Sequence, residues 1–271
     1  IVGVDRLSRE ECLNVVRKQP KLEFEPGSRF TYNSTAWVIL AEILEQVTKQ
    51  PADKWVEENI LKPLKMNNTY IESFVGEVIP NGAESYNYNK NKGYSNSKSN
   101  RAIFGASDIN ANIEDMMLWM NNFNTTKVGN KEAMELFLTP FTLNDGSDSK
   151  YALGIQVKLH KGVKLYSHNG SHSSFITQLR YYPDQEIGII TMSNFGGKGA
   201  ISSKKIAEFL LKDQMKIEEK RDNEASKTNK NEVWKPTVNE LKEYTGDYWS
   251  KEIETLYHVK VEDEKLIIEH R

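Results

Sequence analysis

The sequence predicts a layered α+β fold: an antiparallel sheet flanked by helices, followed by the start of a small β domain. Three observations carry this. Apolar residues recur at helical spacing in several stretches between 35 and 140, the period drops to two in four short runs between 151 and 194, and strand-like runs resume after a charged stretch. With 271 residues the chain can bury a sizeable core. The expected organisation is a large domain over 1–216, a charged linker over 217–236 without a buried face, and an incomplete β domain over 237–271.

The elements follow in order. "REECLNVVRK" spaces Leu7, Cys12, Val15 and Val16 as on a helix, which makes Cys12 a buried structural thiol. "TAWVILAEILEQVTKQ" places Trp37, Leu40, Ile43, Leu44 and Val47 on one side of a helix. A third helix, "ADKWVEENILKPL", opens after Pro51 and is expected to end before Pro63. Residues 80–100 show neither period and read as a long exposed loop. Asn112 starts a fourth helix, "NIEDMMLWMNNF", and "NKEAMELFLTP" gives a short fifth. The runs "YALGIQVKL", "VKLYSH", "FITQLRYYP" and "IGIITMSN" form an antiparallel meander punctuated at Gly162 and at Pro183-Asp184. "SSKKIAEFLLKDQM" returns to helix from a Ser N-cap, and the last strands turn at Thr245-Gly246 and at Glu262-Asp263-Glu264.

Composition excludes several partners. Lys and Arg number 36 against 38 Asp and Glu, and the resulting net charge of -2 offers no electrostatic reason to bind nucleic acid or an anionic membrane. The single cysteine has no partner for a disulfide, and no apolar run reaches the length of a membrane span. The chain starts without Met and ends within a strand-like pattern, so it reads as a piece of a longer protein.

Two short stretches could carry chemistry. In "FEPGSRFTYNSTAW" a Pro-Gly turn leads to Tyr32 just ahead of a helix N-terminus, where unpaired N–H groups favour negative charge. In "YSHNGSHSSF" a histidine, a small polar residue and a glycine stand at what reads as the start of a strand. His168 and His172 fall on one strand face, yet without a neighbouring carboxylate they are an incomplete ligand set, so no metal or other cofactor is expected.

Taken in order, "FEPGSRFTYNS", "LAEILEQVTKQP", "LKPLKMNNTY", "GASDINANIEDMMLWMNNF" and "LYSHNGSHSSFITQLRYYPDQEIGIITMSN" resemble the serine β-lactamase and penicillin-binding protein superfamily. The likeness covers about 1–212 and is to the branch with class C β-lactamases, D-alanyl-D-alanine carboxypeptidases and esterases. It implies a β-lactamase/transpeptidase-like fold with a helical subdomain, an acyl-enzyme mechanism, a small-molecule or peptide substrate and an extracytoplasmic setting. Of the motifs S-x-x-K, Y-x-N and K-T-G or H-x-G, Tyr32 matches the tyrosine that moves the nucleophile's proton, and His168 heads the third motif. Gly170 matches its glycine, which lets substrate backbone approach the strand edge, and Ser171 would donate its N–H to half of an oxyanion hole.

There are two departures. The second motif reads Tyr32-Asn33-Ser34, so Ser34 stands where the family has Asn, and Asn33, one place early, is a further candidate for the substrate contact. A hydroxyl is shorter than an amide and carries one proton, so Ser34 would bind substrate differently. No S-x-x-K precedes Tyr32, and the strings from Ser95, Ser147 and Ser202 lie in polar loops or at a helix cap after the last sheet strand. The resemblance therefore implies a serine hydrolase whose nucleophile lies outside this chain, with the chain inactive by itself. The other reading is a non-catalytic relative that binds a peptide or a partner. Residues from 237 on resemble the start of a lipocalin-like β domain appended to this family.

Overall fold

The computed structural model describes residues 7–196, 201–216, 236–251 and 255–270. The chain divides into two compact units, one of residues 1–13 and 23–217 and one of residues 14–22 and 218–271. Apart from Pro236, the expected linker over 217–236 lies outside the described residues.

β1 (Leu7–Ser8) leads into α1 (Arg9–Arg17), whose residues 14–17 count with the second unit, and in the first unit α2 (Ser34–Thr48) follows an irregular stretch. Cys12 is half-buried on α1, against the cluster formed by Leu13, Val38 and Ile103. The buried side of α2 is Val38 and Ala41, whereas Leu40, Ile43 and Val47 are exposed, contrary to the stripe predicted from spacing. The helix is apolar on nearly every side, so its pattern has no phase to choose by.

The next helix also departs from expectation. It runs α3 (Ala52–Val56), a π turn (Glu57–Leu61) and α4 (Lys62–Leu64), passing through Pro63 instead of stopping before it. A proline inside an α-helix clashes with the carbonyl four residues back; here the N–H of Lys62 reaches the carbonyl of Glu57, five back, and the wider turn makes room for the ring.

β2 (Tyr70–Ile71) precedes a hairpin that the expected loop conceals: β3 (Tyr86–Asn89) pairs with β4 (Gly93–Asn96). Its turn is built by the Asn89 side chain, which accepts from the N–H groups of Asn91 and Lys92, and by Gly93 at a positive φ of 76°. Tyr88 faces Tyr94 across the pair, with ring centroids 5.0 Å apart. The alternation is Tyr with Asn, which hydrophobicity does not register.

β5 (Arg101–Ala102) pairs in parallel with β1, and β6 (Ile109–Asn110) pairs antiparallel with β2. α5 (Ile113–Thr125) begins where the Asn112 side chain accepts from the Asp115 N–H, and α6 (Lys131–Phe137) from Asn130 in the same way. The meander follows as β7 (Gln156–His160), β8 (Val163–His172), β9 (Phe175–Tyr182) and β10 (Ile187–Ser193), antiparallel in the order β10-β9-β8-β7. α7 (Ser203–Leu210) comes after it, capped by Ser202.

Strand alternation sends side chains to two cores. Tyr166, Leu179 and Tyr181 pack with Met120 and Phe123 of α5 on one face. Val163, Leu165, Tyr182 and Ile189 pack with Ala207 of α7 and with Leu211 on the other. The sheet is thus clad by helices on both sides. His168 shares the parity of Tyr166, and it lies in the second half of β8, not at a strand start as its sequence suggested.

The second unit holds α8 (Val238–Lys242), with a capping box between Thr237 and Glu240, and an antiparallel sheet of β11 (Gly246–Ser250), β12 (Thr255–Glu262) and β13 (Lys265–His270). Asp263 and Glu264, both at positive φ, make its tight turn.

Candidate active site

Tyr32 stands one residue before the N-cap of α2. The Pro26-Gly27 turn upstream is tied down by Asn144, whose backbone N–H donates to the Gly27 carbonyl and whose side-chain amide donates to that of Pro26. Asn33 spends its side-chain oxygen on the N–H of Thr35 at 2.7 Å, so it acts as the cap, and Ser34 is the exposed first residue of the helix.

His168 comes to the same place from β8. Its ring centroid is 5.9 Å from that of Tyr32. Both pack on Tyr151, 5.9 Å from Tyr32 and 6.1 Å from His168, and the Tyr151 hydroxyl lies 3.1 Å from His168 Nε2. Phe30 stacks on the Tyr151 ring at 5.0 Å. Burial lowers the pKa of His168, against a smaller upward pull from its backbone hydrogen bond at Asn169. Burial and the nearby Tyr32 push the Tyr151 phenol up to about 12. A cavity of about 220 Å³ opens beside Tyr151, lined by Phe30, Ser149, Lys150, Gln156 and Lys158.

The strand carrying His168 has an open side. β7 pairs with β8 only as far as Gln156 opposite Ser167, while β9 covers the other edge through His172. From His168 to His172 one edge is therefore without a strand partner among the described residues, and an extended ligand could hydrogen-bond along it. Gly170 and Ser171 lie exposed in this stretch. A Cβ on Gly170 would meet the Thr177 hydroxyl of β9 at 2.7 Å, a local reason for glycine beside the ligand-facing one.

His172 does not join His168. It is held by Ser99 Oγ at 2.9 Å and by an Arg101 guanidinium nitrogen at 3.3 Å, and burial, reinforced by Arg101, lowers its pKa. The adjoining turn puts Ser173 and Ser174 at φ of 43° and 72°, a conformation that Asn-Gly adopts with less strain. Ser85 donates to the Ser173 carbonyl and Ser174 to the Asn87 side chain, so residues of the 80–100 stretch hold the far end of the open edge.

Sequence reasoning missed Tyr151 and Phe30. Neither lies in a motif, and only the three-dimensional meeting of Tyr32 with β8 reveals them. Of the S-x-x-K strings, Ser95 lies on β4, Ser147 in the turn after Asp145, and Ser202 caps α7.

A third histidine lies on β7, and it shares with the other two a lowered pKa. Burial is the main cause for His160, whose ring meets the Tyr182 hydroxyl at 2.7 Å and Glu208 at 3.3 Å. A histidine with a folded pKa below its unfolded 6.5 takes up protons first in the unfolded chain, so stability is full above that value and falls as pH drops below it. The urea midpoint is accordingly expected to be lower at about pH 5.5 than at about pH 7.5, and His160→Gln to reduce that difference. Equal midpoints at the two pH values would contradict this.

A layered sheet clad by helices, with a tyrosine before a helix and a histidine beside an open strand, is the fold of β-lactamases and penicillin-binding proteins. The chain belongs to the β-lactamase family, whose model matches residues 8–209. It is similar to the D-aminopeptidase of Brucella canis, 23% identical over 202 residues that make up 74% of this chain and 39% of that protein. Among solved structures it is similar to the octameric penicillin-binding protein homologue from Pyrococcus abyssi, with TM-score 0.67, 21% identity and coverage of 98% of this chain and 60% of that one. It is also similar to the D-stereospecific amidohydrolase from a Streptomyces species, with TM-score 0.63, 23% identity and coverage of 75% and 61%. The chain spans about two fifths of the length of the curated relatives it matches. No helix among the described residues is long and apolar enough to cross a membrane.

Proposed function

We propose that the chain supplies the proton-handling tyrosine and the substrate strand of a serine hydrolase that works through an acyl-enzyme. The observation that carries this is the meeting of Tyr32 and His168, 5.9 Å apart, at the head of the open edge of β8. In this reading the substrate lies along His168–His172, its scissile carbonyl near Tyr32. Tyr32 takes the proton from the attacking serine hydroxyl and returns it to the leaving group, and His168 lends a polar partner beside it. Gly170 allows close approach of the substrate backbone, and the Ser171 N–H forms half of the oxyanion hole. Because Asn33 caps α2, Ser34 is the group left to meet the substrate amide.

The substrate class is a β-lactam, a D-amino-acid peptide or amide, or a small ester; the D-aminopeptidase and amidohydrolase relatives favour the amide bond beside a D-residue. In this reading the nucleophile is a serine outside these 271 residues, because no S-x-x-K string precedes Tyr32 in them. Residues 237–271 are then the start of a lipocalin-like β domain.

Intact-mass analysis after a fluorophosphonate probe, with peptide mapping, tests the reading. The full-length protein is expected to carry one adduct on a serine upstream of this segment, and the 271-residue chain none. Folded full-length protein that takes no adduct would instead support a non-catalytic protein that binds peptides along the open edge.

A further inference from the structure

We infer that Tyr151 is a positioning residue that holds His168 as a neutral imidazole with its proton on Nδ1. The inference rests on the proposed active site for its importance but not for its test.

Tyr151 is fixed at both ends. Its carbonyl accepts from the Phe141 N–H and the Ser149 hydroxyl, its own N–H donates to Ser149 Oγ, and the preceding Lys150 carbonyl accepts from Val157. Phe30 then lies along the ring at an interplanar angle of 28°. With the ring so held, the hydroxyl lies 3.1 Å from His168 Nε2. Tyr32 and Tyr151 are the titratable side chains whose rings pack against the imidazole.

The direction of the proton follows. A phenol pushed up to about 12 keeps its hydrogen and so can donate, while the imidazole's backbone hydrogen bond at Asn169, which favours the protonated ring, uses a ring N–H that must be Nδ1 because Nε2 faces Tyr151. A neutral imidazole has one donor and one acceptor nitrogen, and an Nε2 that accepts from Tyr151 leaves the hydrogen on Nδ1. The same bond stabilises the neutral ring over the cation, adding to the effect of burial. His168 would then meet Tyr32 and a bound substrate as an uncharged group of fixed orientation, instead of a cation that could hand its own proton to the Tyr32 oxygen.

Long-range proton–nitrogen NMR of the histidine rings in the 271-residue chain reads this without any catalysis. The His168 signals, assigned by their loss in His168→Gln, are expected to show the Nδ1–H tautomer. Tyr151→Phe keeps the ring and its stacking, and it should move the His168 titration midpoint up by about half to one pH unit and mix the tautomers, the effect of one hydrogen bond. Incorporating 3-fluorotyrosine disturbs the fold least and makes a stronger donor, so it should move the midpoint down. An Nε2–H tautomer in the unaltered chain, or a midpoint that neither change moves, would overturn the inference. The fluorophosphonate result stands or falls separately.

Discussion

Tyr32→Phe in the full-length protein is expected to lower kcat by about 10²–10⁴-fold, the range for losing a positioned proton-transfer group, with KM changed little. The substitution isolates the hydroxyl. The phenyl ring keeps its packing on Tyr151 and His168, and the side chain is 50% exposed, so no buried partner is stranded and stability should stay within about 0.5 kcal/mol. Steady-state kinetics on a D-amino-acid amide or a chromogenic ester, beside a melting curve, reads both quantities. The fluorophosphonate adduct should form more slowly by a similar factor, because the same serine must lose its proton in that reaction. A raised KM at constant kcat would assign Tyr32 to substrate binding and move proton transfer to another group, with Tyr151 unsuited because its phenol holds its proton up to about 12.

The sequence reveals those parts of the fold whose signal is local. Asn112 and Ser202 mark helix starts because a side-chain oxygen there meets an orphan N–H, a contact only three residues long. The meander is legible because each of its strands alternates and each is bounded by a turn residue. Features set by distant contacts are not legible. The helix passes Pro63 because a π turn forms before it, which no propensity encodes. The 86–96 hairpin hides because its alternation is aromatic with amide. The buried side of α2 is chosen by Leu13 and Ile103 arriving from elsewhere, not by its own pattern. The site divides in the same way. Tyr32 and His168 stand in ordered motifs and the structure brings their rings together, whereas Tyr151 is recognisable only once its hydroxyl is seen at His168 Nε2. Asn33 shows the opposite limit: beside a motif tyrosine it suggested a ligand contact, and in the fold its side chain caps α2.

Gly105→Ala is expected to destabilise the first unit by about 3–5 kcal/mol, and so to lower its melting temperature by roughly 10 °C or more. Two costs combine. Gly105 sits at φ +104°, where a Cβ is strained, and that Cβ would fall onto the backbone carbonyl group of Trp37, which as part of α2 cannot swing aside. Gly154, at φ +96°, meets the same residue from the indole side, where an added Cβ would lie 2.9 Å from the ring. Two glycines thus approach Trp37, five residues beyond Tyr32, from its carbonyl side and its indole side. Gly76→Ala separates the two costs. Gly76 shares the positive φ, at +87°, but nothing lies within 4 Å of its added Cβ, so only the strain of about 1–2 kcal/mol should appear. Parallel thermal melts of the two variants give the collision as their difference. If Gly105→Ala cost no more than Gly76→Ala, α2 would have to be free to shift away from the 103–108 turn. Tyr32 would then owe its place to the Pro26-Gly27 turn and its bonds to Asn144.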